Sequence, residues 1–266
     1  MICALKSYHT EKVLGDITPM VDQLPPLLCL ENGVENELKL SRVLGENKVI
    51  PGTVTSAVER LEAGKIRLEK KRGVGISSRH PLSKRLAGAC QQANLNAKLY
   101  SQPAAMKWSK MLTNLMANAS SAILNMTPVE IFANHDLHRL EVRQFREALA
   151  VMRAQKIRPV RLPGIPVKLL AHGVRFLPPT ISQPLLKKAV GEGRGEKMPS
   201  FHIDLHRGRE LSEVDYLNGA VVRFGEKVGV PTPVNRILNE TLLALTRGEM
   251  PLDAYDHQPD KLLGML

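Results

Sequence analysis

The chain has 266 residues, three cysteines and a net charge of +11 at pH 7. No apolar run approaches the roughly 20 residues that cross a membrane, and the first residues lack a signal-like apolar core, so we expect a cytoplasmic protein. Cys3, Cys29 and Cys90 show no CxxC spacing, which argues against a disulfide framework or a structural metal.

The charge indicates an anionic partner, which could be nucleic acid, an acidic membrane surface, or a phosphorylated cofactor with a carboxylate substrate. Aromatic residues make up only 4% of the chain and the basic residues are dispersed. Nucleic-acid readers usually add aromatic platforms or a compact basic motif. We therefore expect neither nucleic acid nor a membrane as the partner.

Residues 1–101 alternate short apolar runs with helical patterns, which is typical of βα units in a mostly parallel sheet. The order predicted is a buried strand at 2–6, a helix at 10–24, a strand at 27–30 and a helix at 36–44 that ends at Gly45. Two extended segments joined at Ala63-Gly64, a helix at 81–94 and a last strand at 97–100 follow. The glycine clusters that begin at Gly73 and Gly191 have the wrong setting for a phosphate-binding turn and are predicted to be ordinary turns.

After residue 102 the pattern changes to long helices, predicted at 103–124 and 129–155. Seven prolines between residues 158 and 200 predict short helices broken by turns. Helices at 201–228 and 234–246 then close the fold. We predict one domain over 1–101, a helical domain over 102–249 and a loose tail over 250–266.

Lys110, Asn114 and Asn118 are spaced at i, i+4 and i+8 on the first of these helices, so they drift by only about 40° per step along one face. Their flanks are apolar, as expected for a polar line that faces a small ligand in a cleft. The alternative is a pair of asparagines that lie on the surface or bond within the core.

A second polar run surrounds Ser212, which is predicted to be a helix N-cap with Glu213 and Asp215 in the first turn. Asp215 is explained as a partner of the helix dipole, whereas Glu213 could be structural or functional. His202, Asp204 and His206 could suggest a metal site, but no HExxH or cysteine cluster accompanies them, so we predict a solvated helix face.

Several segments together resemble the ketopantoate reductase (2-dehydropantoate 2-reductase) family, in order and at compatible spacing over residues 6–245. The segments are ALKSY, ENG, WSKMLTNLMANASSAILNMTP, KMPS and GRELSEVDYLNGAVVRFGEKVGVPTP. The resemblance implies a partial Rossmann-like parallel sheet, over 1–101, followed by an all-α domain that handles substrate. It also implies an NADPH-dependent oxidoreductase that converts 2-dehydropantoate, a 2-oxo acid, to pantoate in pantothenate biosynthesis.

By the same resemblance, Lys110 is the general acid that protonates the alkoxide formed when hydride reaches the keto carbon. An ammonium with a pKa near its usual value of about 10.4 is charged at pH 7 and can polarise the carbonyl first. Asn114, Asn118 and Asn32 are implied to bind the substrate's oxygens, and Ser200 its carboxylate.

The cofactor NADPH is implied to contact Lys6, Asn32, Val58 and Glu213, with Glu213 also near Lys110. The sequence departs from the family in lacking GxGxxG and the early strands, so we expect about seventy N-terminal residues to be missing and the cofactor site of this chain to be incomplete. Pro128 stands where some members have another asparagine. A second copy of the chain, in a homodimer, is one partner that the enzyme could have. The alternative to an enzyme is a non-catalytic remnant that acts as a binding or dimerisation module.

Overall fold

The computed structural model describes residues 1–178, 180–184, 186 and 197–266. The chain divides into two compact units. Unit 1 comprises Met1–Met111 and Arg158–Lys168, and unit 2 comprises Leu112–Ile157 and Leu169–Leu266. The domains predicted over 1–101 and 102–249 remain predictions, and these packing units differ from them by placing residues 102–111 and 158–168 in the first unit. The glycine cluster at Gly191 lies outside the described residues.

Unit 1 contains seven short strands. They are β1 (Ile2–Cys3), β2 (Leu27–Cys29), β3 (Val49–Val54), β4 (Ala57–Glu62), β5 (Lys65–Lys70), β6 (Val74–Ser77) and β7 (Ala97–Tyr100). Five of them form one sheet in the order β1-β2-β3-β6-β7, in which only β3 and β6 pair antiparallel. The remaining two, β4 and β5, form a separate antiparallel hairpin that turns at Gly64, with a φ of +77°. The mostly parallel sheet that the sequence predicts is confirmed.

The first part of unit 1, Met1–Met111, contains α1 (Thr10–Ile17), α2 (Asn36–Leu44), α3 (Ser83–Gln92) and most of α4 (Pro103–Leu115). Short 3-10 helices occupy Ser7–His9, Thr18–Gln23 and Glu46–Lys48. Alternate residues of β2 enter two apolar cores: Leu27 and Cys29 pack with Leu40 of α2, whereas Leu28 packs with Ala87 of α3. Because successive side chains point to opposite faces, this sheet is covered on both sides, as expected for parallel strands.

The strand predicted at 2–6 is limited to Ile2–Cys3, and the helix predicted at 10–24 ends at Ile17 and is followed by a 3-10 helix. The turn predicted at Gly73 is wrong. The glycine cluster at Gly73 leads into the buried strand β6 rather than forming a turn, and Val74 and Ile76 lie in the core. Gly75 has a physical reason to lack a side chain, since a Cβ there would lie 2.7 Å from the sulfur of Met106 on α4. Glycine in a strand often marks such a close approach, and here it lets the helix pack against the sheet.

Unit 2 is helical. After the C-terminal end of α4 it contains α5 (Ala119–Leu124), α6 (Pro128–Ala133), α7 (His135–Ala154), α8 (Val167–Phe176, which begins in unit 1), α9 (Ser200–His206), α10 (Val214–Lys227), α11 (Pro233–Thr246) and α12 (Pro259–Leu263). Residues 180–184 are also helical. Among the described residues, no helix is both long and apolar enough to cross a membrane.

Three expectations for unit 2 are corrected. The helix predicted at 103–124 breaks after Leu115, where Ala117 has a φ of +47°. The helix predicted at 201–228 is two helices, separated by a turn at Gly208, which has a φ of +70°. Residues 250–266 are not loose, because Tyr255 is 6% exposed, Leu262 is fully buried and the amide of His257 donates to Leu124 O over 2.9 Å.

Candidate active site

In unit 1, two of the predicted cofactor residues lie where strands β1 and β2 end. Lys6 directly precedes the 3-10 turn after β1, and Asn32 follows β2. Ser7 Oγ donates to Asn32 O over 3.0 Å, and Asn36 Nδ2 donates to the same oxygen over 2.6 Å. These bonds join the two strand ends at the carboxyl edge of the parallel sheet, which is where open α/β sheets bind ligands.

The same edge contains an acceptor with no hydrogen bond in the described structure. The side chain of Asn36 is 1% exposed and its Nδ2 also contacts Ser7 Oγ at 3.0 Å, yet its Oδ1 lacks a donor. A buried polar atom without a partner costs free energy unless a water or a ligand supplies the bond. This edge of the sheet is therefore polar, and one of its buried acceptors has no hydrogen-bond donor in the described structure.

Lys107, which the sequence analysis did not assign to any site, is a buried cation in unit 1. It is 4% exposed, and its Nζ donates to Glu31 O over 2.5 Å and to Gly52 O over 3.2 Å. Its ammonium also lies 2.6 Å from Glu37 Oε1, in an ion pair. Burial disfavours the charge, but the neighbouring acidic groups, of which the Glu37 carboxylate is the first, together outweigh that effect and raise the pKa of Lys107. The signal in the sequence was a lysine among the apolar residues of α4.

Lys110 lies on α4 one turn before Asn114. Both side chains are half-buried, and the flanking Trp108, Met111 and Leu115 are buried, as the sequence predicts. This helix passes from unit 1 into unit 2. Lys110 and Asn114 therefore project from a helix whose flanking side chains on both sides are buried.

Asn118 does not continue the line at i+8 of one helix, because it lies beyond the break and precedes α5. It is 2% exposed, and its Nδ2 donates to Asn114 O over 3.0 Å. Its Oδ1 accepts from the amide of Phe201 over 3.2 Å, next to the exposed Ser200 at the start of α9. Unit 2 thus brings Asn114, Asn118 and Ser200 together through side-chain and backbone contacts.

A second buried charge, missed from the sequence, supports this break. Glu141 on α7 is 3% exposed. Its Oε2 accepts from the amide of Ala117 over 2.7 Å and from Gln144 Nε2 over 2.6 Å, and its Oε1 accepts from Ser120 Oγ over 2.6 Å. The sequence signal was an acid four residues after Leu137 and therefore on the buried face of the helix.

Glu213 directly precedes α10 and is 3% exposed. The helix begins one residue later than predicted, and Ser212 Oγ accepts from the amide of Val214 over 3.2 Å. Asp215 lies in the first turn, as predicted, and also accepts from Arg223 over 2.9 Å. A buried carboxylate at a helix N-terminus is stabilised by the helix dipole.

Val58, the remaining predicted cofactor residue, lies on β4 opposite Leu68 and is 48% exposed. Val58 therefore belongs to a surface hairpin, and the contacts described for this hairpin do not identify a ligand.

The helix that contains His202, Asp204 and His206 is not the solvated face that we predicted. Asp204 is 8% exposed and pairs with Arg209, and His202 Nε2 lies 2.8 Å from Asn125 Oδ1. Burial and the like charge of His206, whose ring stacks on it, lower the pKa of His202 to about 4. In the part of the chain that the structure describes, no cluster of three or more His, Cys, Asp or Glu residues could hold a metal.

The described structure thus combines an α/β unit, built on a mostly parallel sheet, with a helical unit. The sequence profile of ketopantoate reductase PanE/ApbA matches residues 1–80, and that of the C-terminal part of the same family matches residues 104–246. The chain therefore belongs to the ketopantoate reductase family, a family of 2-dehydropantoate 2-reductases.

Individual proteins agree with this assignment. The chain is 25% identical to a 2-dehydropantoate 2-reductase of Streptococcus pyogenes serotype M3 over 248 residues, which cover 92% of this chain and 75% of the relative. The crystal structure of a PanE/ApbA family ketopantoate reductase from Ralstonia eutropha JMP134 matches with a TM-score of 0.77 at 24% identity, over 93% of this chain and 76% of that one. D-mandelate dehydrogenase in complex with NADH matches with a TM-score of 0.75 at 23% identity, over 93% and 84%. The two structural similarities support the fold.

Proposed function

We propose that this chain reduces 2-dehydropantoate to pantoate with NADPH, as a step of pantothenate biosynthesis, and that Lys110 is the general acid. The observation that carries the proposal is the arrangement of Asn114, Asn118 and Ser200 in unit 2, at the end of the helix that contains Lys110. These residue types suit a substrate with a hydroxyl, a carbonyl and a carboxylate, all of which accept hydrogen bonds.

Lys110 contributes in two ways in this proposal. Its ammonium donates a hydrogen bond to the keto oxygen, which makes the carbonyl carbon more electrophilic, and it then transfers a proton to the alkoxide oxygen. Asn114 would bind a substrate oxygen directly, and Ser200 would donate its hydroxyl to the carboxylate. Asn118 would act on substrate and would also hold the other two residues in place, since its amide already bonds to the backbone beside each of them.

The strand ends of unit 1 fit the nucleoside part of a nicotinamide dinucleotide. Lys6 and Asn32 lie at the carboxyl edge of the sheet, and the unsatisfied Asn36 Oδ1 offers a buried acceptor there. NADPH, when bound, supplies the hydride. Lys6, Asn32, Val58 and Glu213 are the residues that we propose to hold it.

The test is turnover of 2-dehydropantoate, followed by the loss of NADPH absorbance, with NADH as the comparison cofactor. Lys110→Ala should lower kcat by at least about 100-fold, because general acid catalysis contributes a factor of about 10² to 10⁴. Cofactor affinity, measured by calorimetry, should stay within about threefold, an interval well under 1.4 kcal/mol. Lys84→Ala, on an exposed position of α3, is the matched control and should leave both quantities unchanged.

Equal losses of kcat and cofactor affinity in Lys110→Ala would assign Lys110 a structural role. If the unchanged chain bound neither NADPH nor NADH and reduced no 2-oxo acid, the proposal would be wrong.

A second candidate function, a non-catalytic binding or dimerisation module, is favoured by the apolar surface beside β1. This strand is at the edge of the described sheet, and Ile2 is 67% exposed. An apolar pocket of about 240 Å³ adjoins it, lined by residues that include Leu5, Val13 and Ile17. An unpaired strand edge is a template for association with another chain. Light scattering of the chain and of Ile2→Asp tests this candidate, which predicts an oligomer that the substitution dissociates.

A further inference from the structure

Lys107 is an unusual choice of residue for a helix-to-sheet contact. Its ammonium has three hydrogens and faces three acceptors, namely Glu31 O, Gly52 O and the Glu37 carboxylate. Replacing a buried ion pair by apolar side chains of similar size is often neutral or even stabilising, so stability alone gives little reason for a lysine here. What three directional contacts provide, and an apolar contact does not, is a defined position.

The position of Lys107 affects the positions of two residues of the candidate site, Lys110 and Asn32. Lys107 precedes Lys110 by three residues, less than one turn of α4, so the two cannot shift independently while the helix is intact. The carbonyl that Lys107 binds belongs to Glu31, whose peptide bond leads directly to Asn32.

The segment around Asn32 is held from its other sides as well. Cys3 Sγ donates to Glu31 Oε1 over 2.9 Å, and Thr10 Oγ1 donates to Glu31 Oε2 over 2.7 Å. On the far side, Ser7 and Asn36 donate to Asn32 O. Lys107 joins this segment to α4, and it therefore contributes to where Asn32 lies relative to that helix.

We propose that Lys107 is a positioning residue, which fixes Lys110 and Asn32 relative to each other within unit 1 without contacting substrate or cofactor. The inference rests on the function proposed above. A displacement of about 1 Å between reacting groups and their supports can lower a rate about 100-fold, so a loosened contact should reduce turnover while the fold persists.

The experiment compares Lys107→Met/Glu37→Leu with the unchanged chain. This pair removes both charges and leaves no uncompensated carboxylate. Lys39→Met/Glu11→Gln is the matched control, because it removes a 2.6 Å ion pair of unit 1 between α1 and α2 whose carboxylate is 72% exposed. Three quantities are measured: the melting temperature, the steady-state kinetics with 2-dehydropantoate, and hydrogen exchange of the backbone amides at residues 30–36.

The proposal predicts a modest fall in the melting temperature, because Glu31 O and Gly52 O lose a donor, and a kcat lowered by at least about 30-fold. The KM for the cofactor should rise, since Asn32 is among the residues proposed to hold it. Amides 30–36 should exchange at least about tenfold faster, corresponding to a free energy of opening lower by about 1.4 kcal/mol. The control should match the unchanged chain in kcat and in exchange at these amides. If the double variant does not fold, Lys107→Arg takes its place, since it keeps the charge but not the geometry, and the same loss of kcat is expected.

A kcat within about threefold of the unchanged chain overturns the inference whatever the exchange rates are, and so does a loss of kcat without faster exchange at 30–36. These outcomes differ from failure of the proposed function, in which the unchanged chain itself would show no turnover of 2-dehydropantoate.

Discussion

The Glu141 carboxylate offers the sharpest test of how the substrate-side residues are held in place. Glu141→Ala removes the acceptor for the amide of Ala117, for Ser120 Oγ and for Gln144 Nε2. The serine hydroxyl can rotate, and Gln144 Nε2 keeps Leu115 O at 3.2 Å. The amide of Ala117 is the donor with no evident replacement, because the residue is fully buried and its φ of +47° takes it out of the helical bonding pattern.

The expected magnitude follows from these contacts. Each hydrogen bond to a charged group contributes about 1.5 to 3 kcal/mol, and an orphaned buried amide costs about 1 to 3 kcal/mol. Relief from burying the carboxylate offsets part of this loss. We expect the free energy of unfolding to fall by about 3 kcal/mol, and the melting temperature by roughly 10 °C for a unit of this size.

Urea unfolding monitored by circular dichroism measures the first quantity and calorimetry the second. Glu240→Ala is the control, because this carboxylate is 63% exposed and 3.8 Å from Arg236, and such surface pairs contribute at most about 1 kcal/mol. A loss below about 1 kcal/mol in Glu141→Ala would refute the reasoning, since it would mean that the break does not depend on the carboxylate.

Gly73 has a φ of +143° and a Cβ there would lie 2.0 Å from a backbone oxygen, so Gly73→Ala should cost more than about 3 kcal/mol in urea unfolding. Gly64→Ala, at a φ of +77° with open space around it, should cost about 1 kcal/mol, and equal losses would contradict the argument. The pKa of His202 is about 4 in the folded chain, against an ordinary value of 6.5. As the pH decreases from 6.5 to 4, this imidazole is therefore protonated in the unfolded chain before it is protonated in the folded chain, and the free energy of unfolding should fall. His202→Gln should flatten that part of the profile, and an unchanged slope in this variant would contradict the argument. Cys90 should be the one thiol that reacts quickly with a disulfide reagent at pH 8, because Cys3 and Cys29 are buried and burial raises the pKa of Cys3 to about 12. Rapid labelling of the Cys90→Ser variant would argue against this assignment of the reactive thiol.

Where local patterns determine structure, the sequence predicted it closely. Helix α2 has the predicted bounds, because its apolar residues recur at helical spacing and Gly45 ends it with a φ of +87°. The break at Ala117 escaped prediction because no glycine or proline marks it. The amide of Ala117 bonds to Glu141, twenty-four residues later in the chain, and such a distant contact leaves no local pattern.

In the candidate site, too, some residues could be predicted from the sequence and others could not. The resemblance to the family supplied Lys110, Asn114 and Ser200 as site residues, which periodicity alone could not have separated from ordinary helix positions. Lys107 and Glu141 were missed because a charged residue on a helix is usually assigned to the surface. Their burial becomes evident only when the opposing carbonyls, carboxylates and amides are in place.

The two bonds of Asn118 have a consequence for how kinetic data on this family are interpreted. An alanine scan would report Asn118 as a substrate contact even if it never touched substrate, because truncation also frees the amide beside Ser200 and the carbonyl of Asn114. Asn118→Asp separates the two effects, since it keeps an oxygen for the Phe201 amide and removes the amide donor. When a side chain both binds substrate and holds neighbouring residues in place, its role can be assigned correctly only by comparing such partial substitutions.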